Sequence, residues 1–222
     1  MAETAGADAL GFVTEYPVPV PWNLDREKAA SLVASSSPFV TTVAVVGGAP
    51  EEVIRIARKV RPRVVQLHGD ESLEDIRQVL DGLKGTGIRV IKALRIDVDT
   101  GEALFEKTDP RKACSVLAGS GIAALIVDSK TSSRPAGTGV SLDWDLPARM
   151  VKDVDLPLIL AGGLNFENVA TAVAKVRPYA VDVISGVEKE PGVKDGEKMR
   201  AFVAAAKRFG CIEIREKSED LF

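Results

Sequence analysis

The sequence has 222 residues, 45% of them apolar and 27% charged, with a formal net charge of -3. That much apolar material can bury one sizeable core, so a single α/β domain is the default. The slight acidic excess, without any long run of Lys or Arg, gives no reason to expect nucleic acid or an anionic membrane as partner.

No apolar stretch approaches the roughly 20 residues that span a bilayer, and Met1-Ala2-Glu3-Thr4 lacks a basic, signal-like start. The two cysteines show no metal-ligand spacing, and the chain has one histidine. No metal is expected, and the reducing cytoplasm is the expected compartment.

In chain order, Met1 to Asp8 reads as the last turns of a helix leading into a strand at Ala9 to Val13. Tyr16 to Pro21 (YPVPVP) must be extended, because proline excludes helix there. Asp25 then starts a helix. Further short β-branched runs follow at Val40 to Val46, Val64 to Leu67, Val90 to Leu94, Ala124 to Asp128, Leu158 to Ala161 and Ala180 to Ile184. Between them lie segments of helical period with start signals at Pro50, at Ser72 with Asp75, and at Asn165. Apolar faces recur at helical spacing, as in Ile76, Leu80 and Leu83, then Val169, Val173 and Val176, then Met199, Phe202, Val203 and Ala206.

Seven continuous apolar strands suit a parallel sheet covered on both faces. With no GxGxxG loop after any of them, the spacing predicts a parallel (β/α)8 TIM-type barrel rather than a doubly wound sheet. Such a barrel should open with a strand and helix ahead of Ala9, so the expected fold has seven regular strands with the first missing. Residues 1–208 form the barrel domain. Residues 209–222 are a charged tail, in which Cys211 to Arg215 reads either as a short strand beside the last one or as part of a solvated extension.

The strongest chemical signal lies near the end. Leu160-Ala161-Gly162-Gly163-Leu164-Asn165 leaves a strand and opens a helix, and Ile184-Ser185-Gly186-Val187-Glu188 leaves the next strand. Glycines at Gly162, Gly163 and Gly186, with Ser185, let backbone N–H groups approach an anion, and in barrels these last two loops form the usual phosphate site. The alternative is that they are only tight turns. Asp128 ends a buried strand at the barrel mouth, where partial desolvation favours a general acid; it could instead cap a loop or pair with Lys130 or Arg134. Asp182 sits within an apolar strand and needs partners, either backbone N–H groups or sugar hydroxyls. His68 closes the strand of Gln66 and faces the same rim, as a base or as a packing residue.

Five stretches in register resemble phosphoribosylanthranilate isomerase. They are Val65-Gln66-Leu67-His68-Gly69-Asp70-Glu71, Ile126-Val127-Asp128-Ser129-Lys130, Gly137-Thr138-Gly139 with Asp143-Trp144, Ala161-Gly162-Gly163-Leu164-Asn165, and Arg177-Pro178-Tyr179-Ala180-Val181-Asp182-Val183 with Ser185-Gly186-Val187-Glu188. The match runs from about Gly6 to about Arg208.

The resemblance implies a β/α barrel performing an Amadori rearrangement in tryptophan biosynthesis without metal or organic cofactor. N-(5-phosphoribosyl)anthranilate becomes 1-(2-carboxyphenylamino)-1-deoxyribulose 5-phosphate. It implies that Asp128 is the general acid, that Gly162, Gly163, Ser185 and Gly186 hold the phosphate, and that Asp182, Gln66, His68 and Trp22 line the substrate, Asp182 near the ribose hydroxyls. The protein would be a monomer or homodimer whose partner is a small phosphorylated molecule.

Two positions depart from the family pattern. The family's cysteine base lies in a Lys-x-Cys-Gly stretch on the first strand, which would precede Met1. Its usual arginine for the anthranilate carboxylate falls at Trp22, an aromatic that can stack but cannot form the bidentate pair; Arg26 is a substitute one helical turn away. Two other readings stay open, a different phosphosugar isomerase or epimerase, and a non-catalytic phosphate-ligand-binding barrel.

Overall fold

Seven parallel strands lie side by side in chain order: β1 (Ala9–Val13), β2 (Thr41–Val46), β3 (Val64–Leu67), β4 (Arg89–Asp97), β5 (Ala124–Lys130), β6 (Leu158–Leu160) and β7 (Ala180–Val181). They come from a computed structural model that describes the backbone of residues 1–130 and 143–219 and the side chains of 1–129 and 143–208. Between the strands run α1 (Arg26–Ser35), α2 (Pro50–Val60), α3 (Leu73–Gly82), α4 (Pro110–Ala118), α5 (Asp145–Asp153) and α6 (Val169–Val176). A short antiparallel hairpin, β8 (Glu188–Glu190) with β9 (Val193–Lys194), then leads into α7 (Gly196–Glu219). This is the predicted TIM-type order. Among the described residues no hydrogen bond joins β1 to β7, so the sheet curls without closing.

Period-two alternation sorts the strand residues into two layers. Ile91, Ala93, Ala124, Ile126 and Ala161 pack together on the concave, interior face. Their alternates, among them Val46, Leu67, Leu94, Leu125 and Val127, pack outward against Val53, Ile56, Ile76, Val79 and Leu117 of the helices. The interior layer is the smaller of the two, and past it the inward positions of the strands carry polar side chains at one end.

Local signals fix the helix starts. The Asp25 side chain accepts from the Lys28 N–H, Pro50 sits in the first turn of α2, and Ser72 forms a reciprocal capping box with Asp75. Each satisfies N–H groups that the first helical turn leaves without partners, or removes one. Asn165 caps as expected, its Oδ1 accepting from the Glu167 and Asn168 N–H groups and its carbonyl from the Val169 N–H, although 166–168 are turns and the regular helix α6 begins at Val169.

Three other boundaries also differ from expectation. Met1 to Asp8 is a set of turns rather than a helix end, with the Ala5 N–H donating to Met1 and Ala2 carbonyls. Strand β7 stops at Val181, although the Asp182 N–H still donates to the Leu160 carbonyl at 2.9 Å. Cys211 to Arg215 is not a strand but part of α7. No helix among the described residues is long and apolar enough to cross a membrane.

Helix α7 does bind the two ends of the sheet together. Lys207 Nζ donates to the Gly6 carbonyl and pairs with Asp8 just before β1, both at 2.8 Å. Phe202 of the same helix is buried with Leu160, Leu164 and Val187 beside β6 and β7.

Candidate active site

The interior alternation that places Ile91 and Ala93 of β4, and Ala124 and Ile126 of β5, inside the barrel continues to Arg95 and Asp128, which are register partners. On β3 the same face carries Gln66 and, one step past the strand, His68. Their strands all end on one side, so the polar groups meet at a common mouth.

His68 Nε2 stands 3.4 Å from Asp128 Oδ2, both side chains 21% exposed. The Gln66 side chain is buried and its Nε2 lies 3.0 Å from His68 Nδ1. An amide nitrogen only donates, so Nδ1 must accept, and in the uncharged ring the proton sits on Nε2 facing Asp128. The Tyr16 hydroxyl donates to the His68 carbonyl at 3.0 Å, and its ring meets the imidazole edge-on at 6.3 Å. Burial pushes the Tyr16 phenol up, which keeps it protonated as a donor.

Asp182 joins this group through charge. Burial raises the pKa of its carboxyl, and the Asp128 carboxylate raises it further, while His68 opposes them. Two carboxyls thus share the mouth, and burial disfavours the ionised form of Asp182.

The glycine loops pack directly against the acid and against each other. Gly162 has φ +82°, and a Cβ there would lie 2.2 Å from Ser129 Oγ and 2.8 Å from Asp128 Oδ1. Gly186 lies in a single 3-10 turn, Ser185–Val187, where a Cβ would fall 1.9 Å from the Leu164 carbonyl. Asn168 Nδ2 pins the turn by donating to the Gly163 carbonyl at 3.0 Å. The hairpin and α7 hold the far side: Lys194 Nζ of β9 donates to the Ile184 carbonyl, and Lys198 Nζ of α7 to that of Glu188. The Gly162-Gly163 and Ser185-Gly186 segments therefore form one cradle next to Asp128.

A buried ion pair supports the His68 side. Lys92 and Glu71, each 2% exposed at the side chain, approach to 2.9 Å. Lys92 Nζ also donates to the Gly69 and Ala93 carbonyls, and Glu71 Oε1 accepts from the Gly69 N–H. Desolvation pulls the Lys92 pKa down against the pull of Glu71. A Cβ at Gly69 would lie 2.5 Å from Glu71 Oε1, so any side chain there would push on the Glu71 carboxylate.

A match to the family model for N-(5'-phosphoribosyl)anthranilate isomerase covers residues 5–205. The chain belongs to that isomerase family. It is 42% identical to the N-(5'-phosphoribosyl)anthranilate isomerase of Haloferax volcanii, over 92% of this chain and 86% of that one, and 42% identical to that of Methanopyrus kandleri, over 93% and 91%. Its fold is similar to the crystal structure of the Thermotoga maritima phosphoribosylanthranilate isomerase, with a TM-score of 0.75 and 33% identity over 93% and 91% of the chains. A family structure in complex with reduced 1-(o-carboxyphenylamino)-1-deoxyribulose 5-phosphate aligns with TM-score 0.71 and 31% identity over 93% and 90%.

Within this isomerase, the expected site residues Gln66, His68, Asp128, Asp182, Gly162, Gly163, Ser185 and Gly186 lie at or next to one mouth. Trp22 is half-buried in the loop after β1, and no hydrogen bond or ring contact joins it to them among the described residues. Arg26 does not serve as the carboxylate anchor: its guanidinium is bonded to both Glu15 and Glu52, which holds the Glu15 carboxyl below its ordinary range. Cys114 is buried in the outer core with its thiol pushed up to about 11 by desolvation, so it is no base for this mouth. Lys130's side chain, Arg134 and Gly137 to Gly139 lie outside the described residues. No group of metal-binding side chains occurs among the described residues.

Sequence reasoning missed Tyr16, Glu71, Lys92 and Arg95. The signal for Arg95 was β-strand periodicity running on past the apolar core of β4. A basic residue in phase with Ile91 and Ala93 points into the mouth.

Proposed function

We propose that the chain carries out the family reaction of tryptophan biosynthesis, the Amadori rearrangement of N-(5-phosphoribosyl)anthranilate, with Asp128 as general acid. The observation that carries this reading is how near the Gly162 backbone lies to the Asp128 carboxyl, which a Cβ at that position would meet at 2.8 Å. A phosphate held on the Gly162-Gly163 and Ser185-Gly186 backbone puts the ribose ring oxygen only a few bonds from the phosphorus. The acid is needed there, since opening the ring requires a proton on that oxygen. His68, oriented by Gln66, directs its Nε2 proton to Asp128 and fixes that carboxyl's position. Asp182, with its raised pKa, meets the ribose hydroxyls. Trp22, in the loop after β1, would stack on the aromatic ring.

The ligand of the family complex is the reduced form of the expected product, which supports a small phosphorylated partner. The protein acts in the cytoplasm, as a monomer or homodimer. Removal of the C2 proton needs a base as well, and no Lys-x-Cys-Gly run occurs in this sequence. The described residues therefore account for the acid half of the chemistry.

The test is Asp128→Asn. Affinity for the reduced product should be kept, because the cradle is untouched, while turnover falls by roughly 10² to 10⁴. An Asn variant as fast as the parent, or one that rescues an isomerase-deficient tryptophan auxotroph equally well, would remove Asp128 from the acid's role.

A further inference from the structure

We propose that Arg95 anchors the carboxylate of the substrate's anthranilate ring; this rests on the isomerase reading above. Arg95 is carried into the mouth by β4, in phase with the interior residues Ile91 and Ala93 and in register with Asp128. Its side chain is 12% exposed. Its only ion-pair partner among the described residues is Asp70, whose side chain is 79% exposed at the rim and which takes one guanidinium nitrogen, Nη2. The neighbouring Nε is buried and has no hydrogen-bond partner among the described residues.

Nε and Nη2 form one edge of the guanidinium, the edge that grips a carboxylate with two parallel bonds. The same chain shows that edge fully used at its surface, where Arg111 Nε and Nη2 both donate to Asp153, at 2.6 and 2.8 Å. At Arg95 the grip is half made. A buried guanidinium N–H left without an acceptor is costly, and natural structures keep few of them. An incoming carboxylate that takes Nε and Nη2 together satisfies that donor, and Asp70 moves from the rim into water at little expense because it is already mostly solvated.

The order of strands fits the ligand. Across the mouth come Arg95 on β4, then Asp128 on β5, then the Gly162 and Ser185 loops after β6 and β7. Along the substrate come the ring carboxylate, then the aminated sugar carbon and ring oxygen where the acid acts, then the phosphate. Arg95 also supplies a fixed cation for the aromatic acid in a chain that has Trp22 where a basic residue is expected and whose Arg26 is engaged by Glu15 and Glu52.

Two ligands decide the matter, both measured by calorimetry on the full chain. One is the reduced 1-(o-carboxyphenylamino)-1-deoxyribulose 5-phosphate, and the other its counterpart lacking the ring carboxylate. The parent should bind the first more tightly. Arg95→Met should weaken the first by roughly 10- to 100-fold, the loss of one charge-assisted pair, and leave the second unchanged. Arg95→Lys should recover part of the difference, and Asp70→Asn, which removes the competing carboxylate, should tighten the first ligand alone.

Equal weakening of both ligands by Arg95→Met, or no change in either, would overturn the assignment while leaving the isomerase reading intact. Failure of the parent to bind either ligand would instead overturn the isomerase reading and this proposal with it. Arg95→Lys guards against misfolding, because it keeps a cation at the mouth.

Discussion

Gly186 sits against the Leu164 carbonyl so closely that a Cβ would stand 1.9 Å from the oxygen. The loops after β6 and β7 thus meet backbone to backbone at this point. Gly186→Ala should separate them. Stability is expected to fall by about 1–3 kcal/mol from overpacking, and affinity for the reduced product should drop with it. Gly119→Ala, whose Cβ would meet only ordinary contacts of 3.6 Å and beyond, serves as the control. Equal melting temperatures for the two variants would show that the loops can part freely.

The Lys92–Glu71 pair should behave as a buried charge pair does. Glu71→Ala leaves an ammonium without its counter-ion and should cost about 3–5 kcal/mol. Lys92→Met combined with Glu71→Leu should cost much less. The double variant also frees the Gly69 backbone, so it should fold well yet show a lower kcat, as His68 loses its fixed approach to Asp128. Denaturant melts and steady-state kinetics on the three proteins separate these effects. A double variant no more stable than Glu71→Ala would argue against the pair as the cause.

Asp182 predicts a pH signature. Its carboxyl titrates higher in the folded protein than its ordinary value of 3.8, so the folded state binds the proton more tightly than the unfolded one. That contribution is fully present below 3.8 and is lost as pH rises through the folded value. Asp182→Asn cannot ionise. Its melting temperature relative to the parent should therefore rise from acid to neutral pH, and a difference that is flat with pH would contradict the assigned burial.

Much of the fold could be read from residue order because its causes are local. The runs Thr41–Val46 and Val64–Leu67 are apolar on both faces, and Ser72 with Asp75 writes a capping box into four residues. Asp128 was legible for the same reason, as a carboxyl at the end of such a run. What escaped depends on neighbours distant in sequence. Arg95 looked like the end of a strand, since β4 runs three residues past its apolar stretch. Lys92 interrupts that stretch as a surface residue would, and only Glu71, brought alongside by β3, makes its burial tolerable. Arg26 looked available until Glu15, held at φ +46° after β1, and Glu52 of α2 closed on it. Asn165 was legible as a helix cap from its type, and its Oδ1 accepts from the Glu167 and Asn168 N–H groups as a cap does.

The grip of Lys207 on Gly6 and Asp8 spans about two hundred residues of sequence. During synthesis these turns leave the ribosome long before their partner is made. Helix α7 is thus a late clasp, and an interruption of translation before it would release a chain whose sheet is formed but whose turns ahead of β1 are left untied.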